Sequence, residues 1–401
     1  MFKYKINPIY EIIPLEIKIE NVPLNEKGFA EILSINLEYS YKLNRAKNRI
    51  NNIDSTKWEE IKKITNPYEF IHAFNPKSKY NDSRSVALIK PLSRSFFKMI
   101  EMIYEFCPDI IQSKDAIITT HIAEGPGGFI EAVRYVRKGK YDDYAFGMTL
   151  VKYDKNEYKN VHIPGWNKSN QFLYNNPEVH IINGSDGTGD IYKTNNIKYL
   201  NEKVRKISSN GSDLITADGG FDFSVEYNYQ EQSSCKLIFS QILGALQCQK
   251  QGGTFICKFF DFNSYFTVEM LYLLYTVYES ITIYKPYTSR IANSEKYIIC
   301  SGFKGIETSL SKLFEVLEQW NKYEIQTINY IFEKIPVEFI EKIKAINAEI
   351  IDYQVSSINT AIDIIRTNKI DNNKKWDDST IEIHIQKARE WCKKYNIPCR
   401  I

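Results

Sequence analysis

Two lysines and two acidic residues lie beside apolar stretches of this sequence, where a charge is costly to bury unless it is paired. They are Lys98 in SRSFFK, Asp218 in DLITADGG, Lys258 in GTFICKFF and Glu295 in NSEKYIIC. Desolvation and a second cation favour an uncharged amine, and a carboxylate orients it. Lys98 beside Lys258 would therefore make Lys258 a general base that takes a proton from a hydroxyl. Taken singly, each residue has a plainer interpretation as one member of a surface ion pair.

Alternating strand and helix patterns must position these four residues. Between about residues 81 and 305 the alternation indicates a mostly parallel sheet covered on both faces. The predicted strands are DAIITTHIA, YAFGMTL, VHIING, DLITADG, GTFICKFF, SITIYK and EKYIICSGF. No helix separates the last two, so we expect an antiparallel final strand at the end of an otherwise parallel sheet. Asp218 and Lys258 should then meet at the carboxyl ends of their strands, where open α/β sheets bind ligands.

A glycine-rich turn, HIAEGPGGFIEAV, follows the first predicted strand at residues 121–133. Gly125, Gly127 and Gly128 lack a Cβ where backbone would otherwise be crowded, and the apolar spacing after them predicts a helix with one buried face. Such a turn often lines a ligand crevice, but a tight turn without a ligand explains the stretch about as well. The spacing is not G-x-G-x-x-G and no P-loop lysine follows, which argues against nicotinamide and nucleoside-triphosphate sites.

The composition excludes several classes of protein. The chain has 401 residues, 43% of them hydrophobic, and a net charge of +3, so any nucleic-acid surface must be a local patch. Its seven cysteines form no C-x-x-C pair, which indicates reduced thiols in an intracellular protein. Its five histidines show no ligand spacing, so we expect no metal. The N-terminus does not resemble a signal peptide and Glu269 interrupts the longest apolar run, so we expect no membrane segment.

Three regions are predicted along the chain: an N-terminal extension at 1–80, an α/β domain at 81–305 and a C-terminal helical region at 306–401. The first combines a short strand-like start with polar helical stretches. The third contains the predicted helices SLSKLFEVLEQWNKY and TIEIHIQKAREWCKKYNIP, and TNKIDNNKKWDDST before the second is typical of a linker. The expected fold class is α/β, a mostly parallel seven-stranded sheet with an antiparallel last strand and largely helical additions at both ends.

Several motifs together resemble one family. The segments SRSFFK, AEGPGGF, ITADGGF, TFICKFFD and KPYTSRIANSEKYIICSGFKG are similar to those of the FtsJ-type RNA 2′-O-methyltransferases. They resemble most closely the cap-specific mRNA nucleoside-2′-O-methyltransferases that form cap 1, as do NPYEF, GMTL, DGTGDI and, more weakly, KAREWCKKYNIP. The resemblance implies a Rossmann-like methyltransferase fold and a catalytic Lys–Asp–Lys–Glu tetrad. Its four members match Lys98, Asp218, Lys258 and Glu295.

The resemblance also implies a cofactor, S-adenosyl-L-methionine, and residues that contact it. The family's glycine-rich loop matches Ala123, Glu124, Gly125, Pro126, Gly127, Gly128 and Phe129. The other expected cofactor contacts are Ser93, Asp190, Ile191 and Asp218, with Asp186 as the alternative to Asp190. The expected RNA contacts are Asn228, Tyr229, Gln230, Arg290 and Asn293. Arg94, Lys285 and Lys62 are further candidates for the RNA groove, and the plainer interpretation of each is a solvated surface charge.

The implied function is methylation of the ribose 2′-OH of the first transcribed nucleotide of capped mRNA, from cap 0 to cap 1, with Lys258 as the base. The implied partners are capped mRNA and a capping enzyme or RNA polymerase. The implied compartment is the nucleus, or the cytoplasm or virion for a cytoplasmic large DNA virus. Three alternatives stay open: a 2′-O-methyltransferase of ribosomal or transfer RNA, a non-catalytic RNA-binding subunit of a capping complex, and a nicotinamide-dependent oxidoreductase. An intact tetrad disfavours the second, and the glycine spacing disfavours the third.

Overall fold

The computed structural model describes most of the chain. The described residues are 1–6, 15–18, 34–72, 85–139, 142–151, 165–220, 227–306, 310–322, 330–332, 334–367 and 378–400. Within them, no helix is both long enough and apolar enough to span a membrane.

A mixed sheet forms the centre of the molecule. The described strands are β1 (Phe2–Ile6), β2 (Leu15–Lys18), β3 (Ile118–Ile122), β4 (Tyr144–Met148), β5 (Val179–Ile181), β6 (Ser212–Ala217), β7 (Gln249–Phe259), β8 (Tyr278–Lys285), β9 (Lys296–Phe303) and β10 (Tyr330–Phe332). Eight of them form one sheet in the order β1-β8-β9-β7-β6-β3-β4-β5, and β10 pairs with β2 in a separate sheet. The run from β7 to β5 is parallel throughout. β9 lies antiparallel between β7 and β8, and β1 is antiparallel to β8.

Helices cover both faces of this sheet. They are α1 (Leu37–Asn48), α2 (Ser55–Ile64), α3 (Ser95–Phe106), α4 (Pro108–Gln112), α5 (Gly128–Val136), α6 (Asn170–Asn175), α7 (Thr194–Ile207), α8 (Gln230–Cys248), α9 (Tyr265–Val277), α10 (Leu310–Lys322), α11 (Val337–Arg366) and α12 (Asp378–Lys394). Side-chain caps fix where some of them begin: Asp54 accepts from the Lys57 amide in α2, and Ser264 from the Thr267 amide in α9.

Strand alternation divides the interior into two main cores. In β7, Phe255 and Cys257 belong to the core shared with α8, α9 and α10, whereas Ile256 belongs to the core shared with α3, α5 and α12. In β6, Ile215 and Leu214 separate in the same way. Because successive side chains of a strand point to opposite faces, the residue that follows each strand is directed to one particular core.

The predicted α/β fold is confirmed, with two corrections to the sheet. Each of the seven predicted strands overlaps with a strand of the large sheet, but the sheet has eight, because β1 adds to β8. Without β1 the apolar strand β8 would present an unpaired edge. The final strand is antiparallel, as predicted, but it does not lie at the end of the sheet. The short connection from β8 lets β9 turn back between β8 and β7.

The regions outside the predicted α/β domain are largely helical but also contain strands. β1 joins the main sheet, and β2 pairs with β10. The C-terminal region contains α10 and α12 close to the predicted positions, and between them the 30-residue α11, which the sequence pattern did not single out. Most of the predicted linker, residues 368–377, lies outside the described residues.

Candidate active site

The four residues of the predicted tetrad lie on the α3 side of the sheet. Lys258 follows Cys257 in β7 and therefore shares a face with Ile256, which packs in the core next to α3. Tyr297 is the partner of Lys258 across the β7–β9 ladder. Glu295 precedes Tyr297 by two residues and so shares its face. Strand register thus brings the carboxyl end of β7 and the start of β9 together beneath Lys98 of α3.

Lys258 and Asp218 meet at the carboxyl ends of neighbouring parallel strands. The Lys258 amine donates to the backbone oxygen of Asp218 at 2.7 Å and lies 3.3 Å from its Oδ1. The Tyr297 hydroxyl donates to the same Oδ1 at 2.9 Å. Only 11% of the Lys258 side chain and 13% of the Asp218 side chain are exposed, so the pair is mostly shielded from water. Tyr297 was not predicted, although its spacing of two from Glu295 within a strand is a signal for it.

Lys98 and Glu295 form the second pair. The Lys98 amine lies 2.7 Å from Oε1 and 2.8 Å from Oε2 of Glu295, and the Ser289 hydroxyl donates to Oε1 at 2.9 Å. Burial alone would raise the pKa of Glu295, but Lys98, Lys258 and Lys285 outweigh it and hold the pKa at about 2. Glu295 is therefore an anion at neutral pH and links the two lysines electrostatically.

Lys285 binds the backbone of the segment that carries Glu295. Its amine donates to the backbone oxygens of Asn293 at 2.7 Å and Glu295 at 2.6 Å. The residue is only 2% exposed, and burial lowers its pKa to about 7. The interpretation of Lys285 as a solvated surface charge is wrong, because the residue ends β8 and its amine is enclosed by the turn back to β9. A part for Lys285 in RNA binding stays a prediction. Its position indicates a structural role in holding residues 286–295.

The glycine-rich loop connects β3 to α5 and is crowded by the protein itself. A Cβ on Gly125 would lie 2.5 Å from the Gly165 carbonyl oxygen, and one on Gly128 would collide with the hydroxyls of Ser93 and Ser95. Gly127 has φ 103°, in the left-handed region that favours glycine. Internal packing therefore accounts for these glycines, and the contact of this loop with a cofactor stays a prediction.

Glu124 supports this loop from inside. Its Oε2 accepts from the Phe129 amide at 3.1 Å in the first turn of α5, and its Oε1 accepts from the Thr216 hydroxyl at 3.1 Å. His121 Nδ1 lies 2.7 Å from the same Oε1. The residue is 5% exposed, and burial raises its pKa. Glu124 thus joins the ends of β3 and β6 to the start of α5.

The two acids of the DGTGD segment have different surroundings. Asp186 accepts from Thr188, Lys193 and Asn196 within its own turn. Asp190 is 8% exposed, and its Oδ1 accepts from the Tyr192 amide at 2.9 Å. Ile191, next to it, is buried in the core shared with α8. Both acids are thus engaged within this segment, and the choice of Asp190 over Asp186 as the cofactor contact stays a prediction.

The predicted RNA-contacting residues lie close to the segment that carries Glu295. Asn293 is exposed on that segment. Gln230 accepts from the Ser294 hydroxyl, and Asn228 donates to Asn48 at the end of α1. Tyr229 lies between these two in the chain. The residues 221–226 that precede them lie outside the described residues.

Two of the predicted groove cations share one buried carboxylate. Arg94 donates to Glu69 Oε1 at 2.8 Å, and Arg290 donates to its Oε1 at 2.8 Å and its Oε2 at 3.2 Å. Burial opposes ionisation of Glu69, but Arg94 and Arg290 outweigh it and hold its pKa at about 2. Lys62, another of the predicted groove cations, is 8% exposed and donates to Glu59. That these cations bind RNA stays a prediction. Through Arg290, Glu69 joins the N-terminal region to the segment that carries Glu295.

The chain is similar to known methyltransferases. The family model described as FtsJ-like methyltransferase matches residues 91–303, which is more than half of the chain. A protein of Ailuropoda melanoleuca named "Cap-specific mRNA (nucleoside-2'-O-)-methyltransferase 1" is 30% identical over 76% of this chain and 35% of its own length. The Homo sapiens protein of that name is 34% identical over 59% of this chain and 27% of its own. The chain thus spans about a third or less of the length of these relatives.

Among solved structures, a ribosomal RNA methyltransferase from Plasmodium falciparum aligns with 53% of this chain and 99% of its own, at 21% identity. Its TM-score of 0.37 is too low to carry an argument. The residues that match the FtsJ-like family model include all four members of the predicted tetrad. The chain belongs to the FtsJ-like methyltransferases.

Proposed function

We propose that this protein methylates the ribose 2′-OH of the first transcribed nucleotide of capped mRNA, converting cap 0 to cap 1. The observation that carries the proposal is the convergence of Lys98, Asp218, Lys258 and Glu295 at one edge of the sheet, as two close lysine–carboxylate pairs. The names of the curated relatives supply the substrate class, capped mRNA. The proposed compartment is that of capped transcripts, the nucleus or the cytoplasm, and binding to a capping enzyme or polymerase is a further part of the proposal.

The cofactor we propose is S-adenosyl-L-methionine, whose chemistry the residues at this edge suit. It carries an ammonium group and ribose hydroxyls, which carboxylates and backbone groups bind. Asp218 and Asp190 follow β6 and β5, and the loop from Ala123 to Phe129 lies between α5 and the ends of β3 and β4. The cofactor would supply an electrophilic methyl group on a sulfonium centre.

The residues of the tetrad would then have separate tasks. Lys258 accepts the proton of the 2′-OH as its oxygen attacks the methyl carbon and the bond from that carbon to sulfur breaks. Asp218, whose Oδ1 accepts from the Tyr297 hydroxyl, orients the Lys258 amine from the β6 side. Lys98 holds Glu295, which orients the ribose from the other side. Positioning of this kind can supply much of the acceleration, because the methyl donor is already activated.

The experiment that tests the function is transfer of labelled methyl from S-adenosylmethionine to short RNAs that differ only at the 5′ end. The set contains an N7-methylated cap, an unmethylated cap, a triphosphate, and a capped RNA already 2′-O-methylated at its first nucleotide. We expect transfer to capped RNA and none to the pre-methylated RNA, because the acceptor oxygen is then blocked.

Other outcomes would point elsewhere. Transfer regardless of the 5′ end would assign the enzyme to internal RNA positions. Binding of capped RNA without transfer to any member of the set would instead indicate a non-catalytic subunit.

A further inference from the structure

A buried ionic cluster lies behind the predicted tetrad and includes a residue of the N-terminal region. Lys47 of α1 donates to Asp261 Oδ2 at 2.7 Å, and the two side chains are 5% and 6% exposed. Lys296 lies 3.7 Å from Asp261 Oδ1, and its own side chain is 1% exposed. The Lys296 amine also donates to the backbone oxygen of Phe260 and lies 4.6 Å from the centre of the Phe262 ring.

The members of this cluster are near neighbours in sequence of two tetrad residues. Asp261 follows Lys258 by three residues, and Lys296 follows Glu295 directly. Phe259 and Lys296 are partners in the ladder between β7 and β9. The carboxyl end of β7 therefore depends on where Asp261 is held, and the start of β9 depends on where Lys296 is held. A displacement of either alters the separation of Lys258 and Glu295.

Electrostatics tie Lys47 to both strand ends. Burial would raise the pKa of Asp261, but Lys47 and then Lys296 outweigh it, so the pKa is lowered. Burial lowers the pKa of Lys296 to about 8, opposed mainly by Asp261. A single carboxylate thus faces two buried lysines, one from each side, and Lys47 supplies the shorter contact.

Apolar contacts already attach α1 to the rest of the protein, so this attachment does not require Lys47. Ala46 of α1 packs in one cluster with Trp58 and Ile61 of α2 and with Ala292 of the segment that carries Glu295. A buried ion pair is weak evidence for stability, because an apolar pair of the same shape often serves as well. What an ion pair adds is a fixed geometry for its carboxylate.

We propose that Lys47 is a positioning residue of the active site, which fixes Asp261 and, through it, the facing ends of β7 and β9 that carry Lys258 and Glu295. The inference rests on the proposed function for the role of those two residues. It assigns to the N-terminal region a part in catalysis, although its helix touches neither the tetrad nor the glycine-rich loop in the contacts described.

The test compares Lys47→Met with Lys42→Met in the intact chain. Lys42 lies on the same helix, five residues earlier, and pairs at the surface with Asp352 of α11. For Lys47→Met we expect kcat for methyl transfer to fall by roughly tenfold to a hundredfold, since small displacements of reacting groups have large effects. The KM values for cofactor and capped RNA should stay within about twofold, because no binding group is removed. Lys42→Met should resemble the unaltered protein in both.

Amide hydrogen exchange gives a second readout that does not depend on activity. In Lys47→Met we expect faster exchange in peptides covering 260–264 and 286–297, and no change there in Lys42→Met. This measurement separates the two proposals: an unaltered protein that methylates no RNA defeats the proposed function, while the exchange data still decide the role of Lys47.

Two results would overturn the proposal. One is a folded Lys47→Met protein with unchanged kcat and unchanged exchange in these peptides. The other is a fall in thermal stability with kcat preserved at a temperature where the variant is folded. Should Lys47→Met not fold, Lys47→Gln takes its place: its side chain is shorter and uncharged and holds Asp261 less firmly, so we expect a smaller fall in kcat and exchange changes in the same direction.

Discussion

The two lysines of the predicted tetrad have different contacts. Lys98 lies within 2.8 Å of both oxygens of Glu295, which commits its amine to that carboxylate. Lys258 makes its shorter contact with a backbone carbonyl of Asp218, at 2.7 Å, and lies 3.3 Å from the carboxylate. A carbonyl orients an amine and leaves its other positions for a substrate. Within the proposed function, this difference favours Lys258 for proton transfer and Lys98 for support.

Replacement of Lys258 by Met should abolish methyl transfer, a loss of about 10²–10⁴-fold for a general base. Affinity for S-adenosylmethionine, measured by isothermal titration calorimetry, should be nearly unchanged. The matched control is Lys250→Met, at the other end of β7, where Lys250 pairs with Asp213 at 2.6 Å and is 43% exposed. Near-normal turnover of Lys258→Met would contradict the assignment of the base.

Acid should weaken the structure partly through Glu69. Its folded pKa of about 2 lies below its ordinary value of 4.5, so its stabilising contribution is complete above pH 4.5 and is lost as the pH falls toward 2. From this difference the contribution is about 3 kcal/mol at neutral pH, as an order of magnitude. Urea unfolding of Glu69→Gln should show a deficit that shrinks as the pH falls from 5 toward 2. A deficit independent of pH would mean that the carboxylate charge is not what matters.

At the scale of elements, the turn that follows β3 is tightly packed by its neighbours. The loop between β3 and α5 touches Gly165 on one side and Ser93 and Ser95 before and at the start of α3 on the other. Glu124 fastens it from within to β6. An element packed this closely cannot shift to accommodate added atoms, so its shape is fixed before any ligand binds.

Gly125→Ala should therefore distort the loop. The new Cβ would meet the Gly165 backbone, and we expect a loss of about 1–3 kcal/mol of stability. If the loop binds the cofactor, affinity for S-adenosylmethionine should fall as well. Gly252→Ala is the control: Gly252 lies in β7 with φ +77° and open space around it, so only backbone strain of about 1 kcal/mol is expected. Thermal melting and calorimetry distinguish them, and equal cofactor affinity in both would remove the loop from the binding site.

At the scale of the whole molecule, the terminal regions are built onto the same sheet as the tetrad. Glu101 of α3, which is 0% exposed, accepts from Tyr284 at the end of β8, from the Tyr287 amide, and from Trp391 of α12. One carboxylate thus joins α3, the segment after β8 and the C-terminal helix. Gln354 of α11 likewise donates to the backbone oxygen of Ala292 at 3.1 Å. The segment that carries Glu295 is held by both ends of the chain.

Trp391→Phe tests this attachment, because it keeps an aromatic ring but removes the 3.0 Å hydrogen bond to Glu101. We expect a loss of about 1–2 kcal/mol in the free energy of unfolding, measured by urea denaturation. Lys394→Met on the same helix removes a surface pair with Glu105 and a contact at 4.8 Å with the Tyr395 ring, and should cost less than about 1 kcal/mol. Equal effects of the two changes would show that α12 is attached by its apolar contacts alone.

Local sequence patterns were sufficient for the α/β class, the seven strands and the antiparallel final strand, because hydrophobic periodicity and connection length are local properties. They were not sufficient for the place of β9 within the sheet, for β1 as an eighth strand, or for the 30-residue α11. Strand order depends on which edges pair, and the partners can be near in sequence, as Lys258 of β7 and Tyr297 of β9 are, or distant, as Phe2 of β1 and Lys285 of β8 are.

The sequence by itself determined the chemistry that this protein can present: two lysines and two carboxylates at strand ends or on a buried helix, and motifs that match one family. Tertiary structure alone decided how they pair, with Lys98 on Glu295 and Lys258 on Asp218. It also decided that Lys285 lies inside and that Lys47 of α1 reaches Asp261 across 214 positions of sequence. The physical reason is that the partners of a buried charge are the residues nearest to it in space, and these come from segments that are far apart in the sequence.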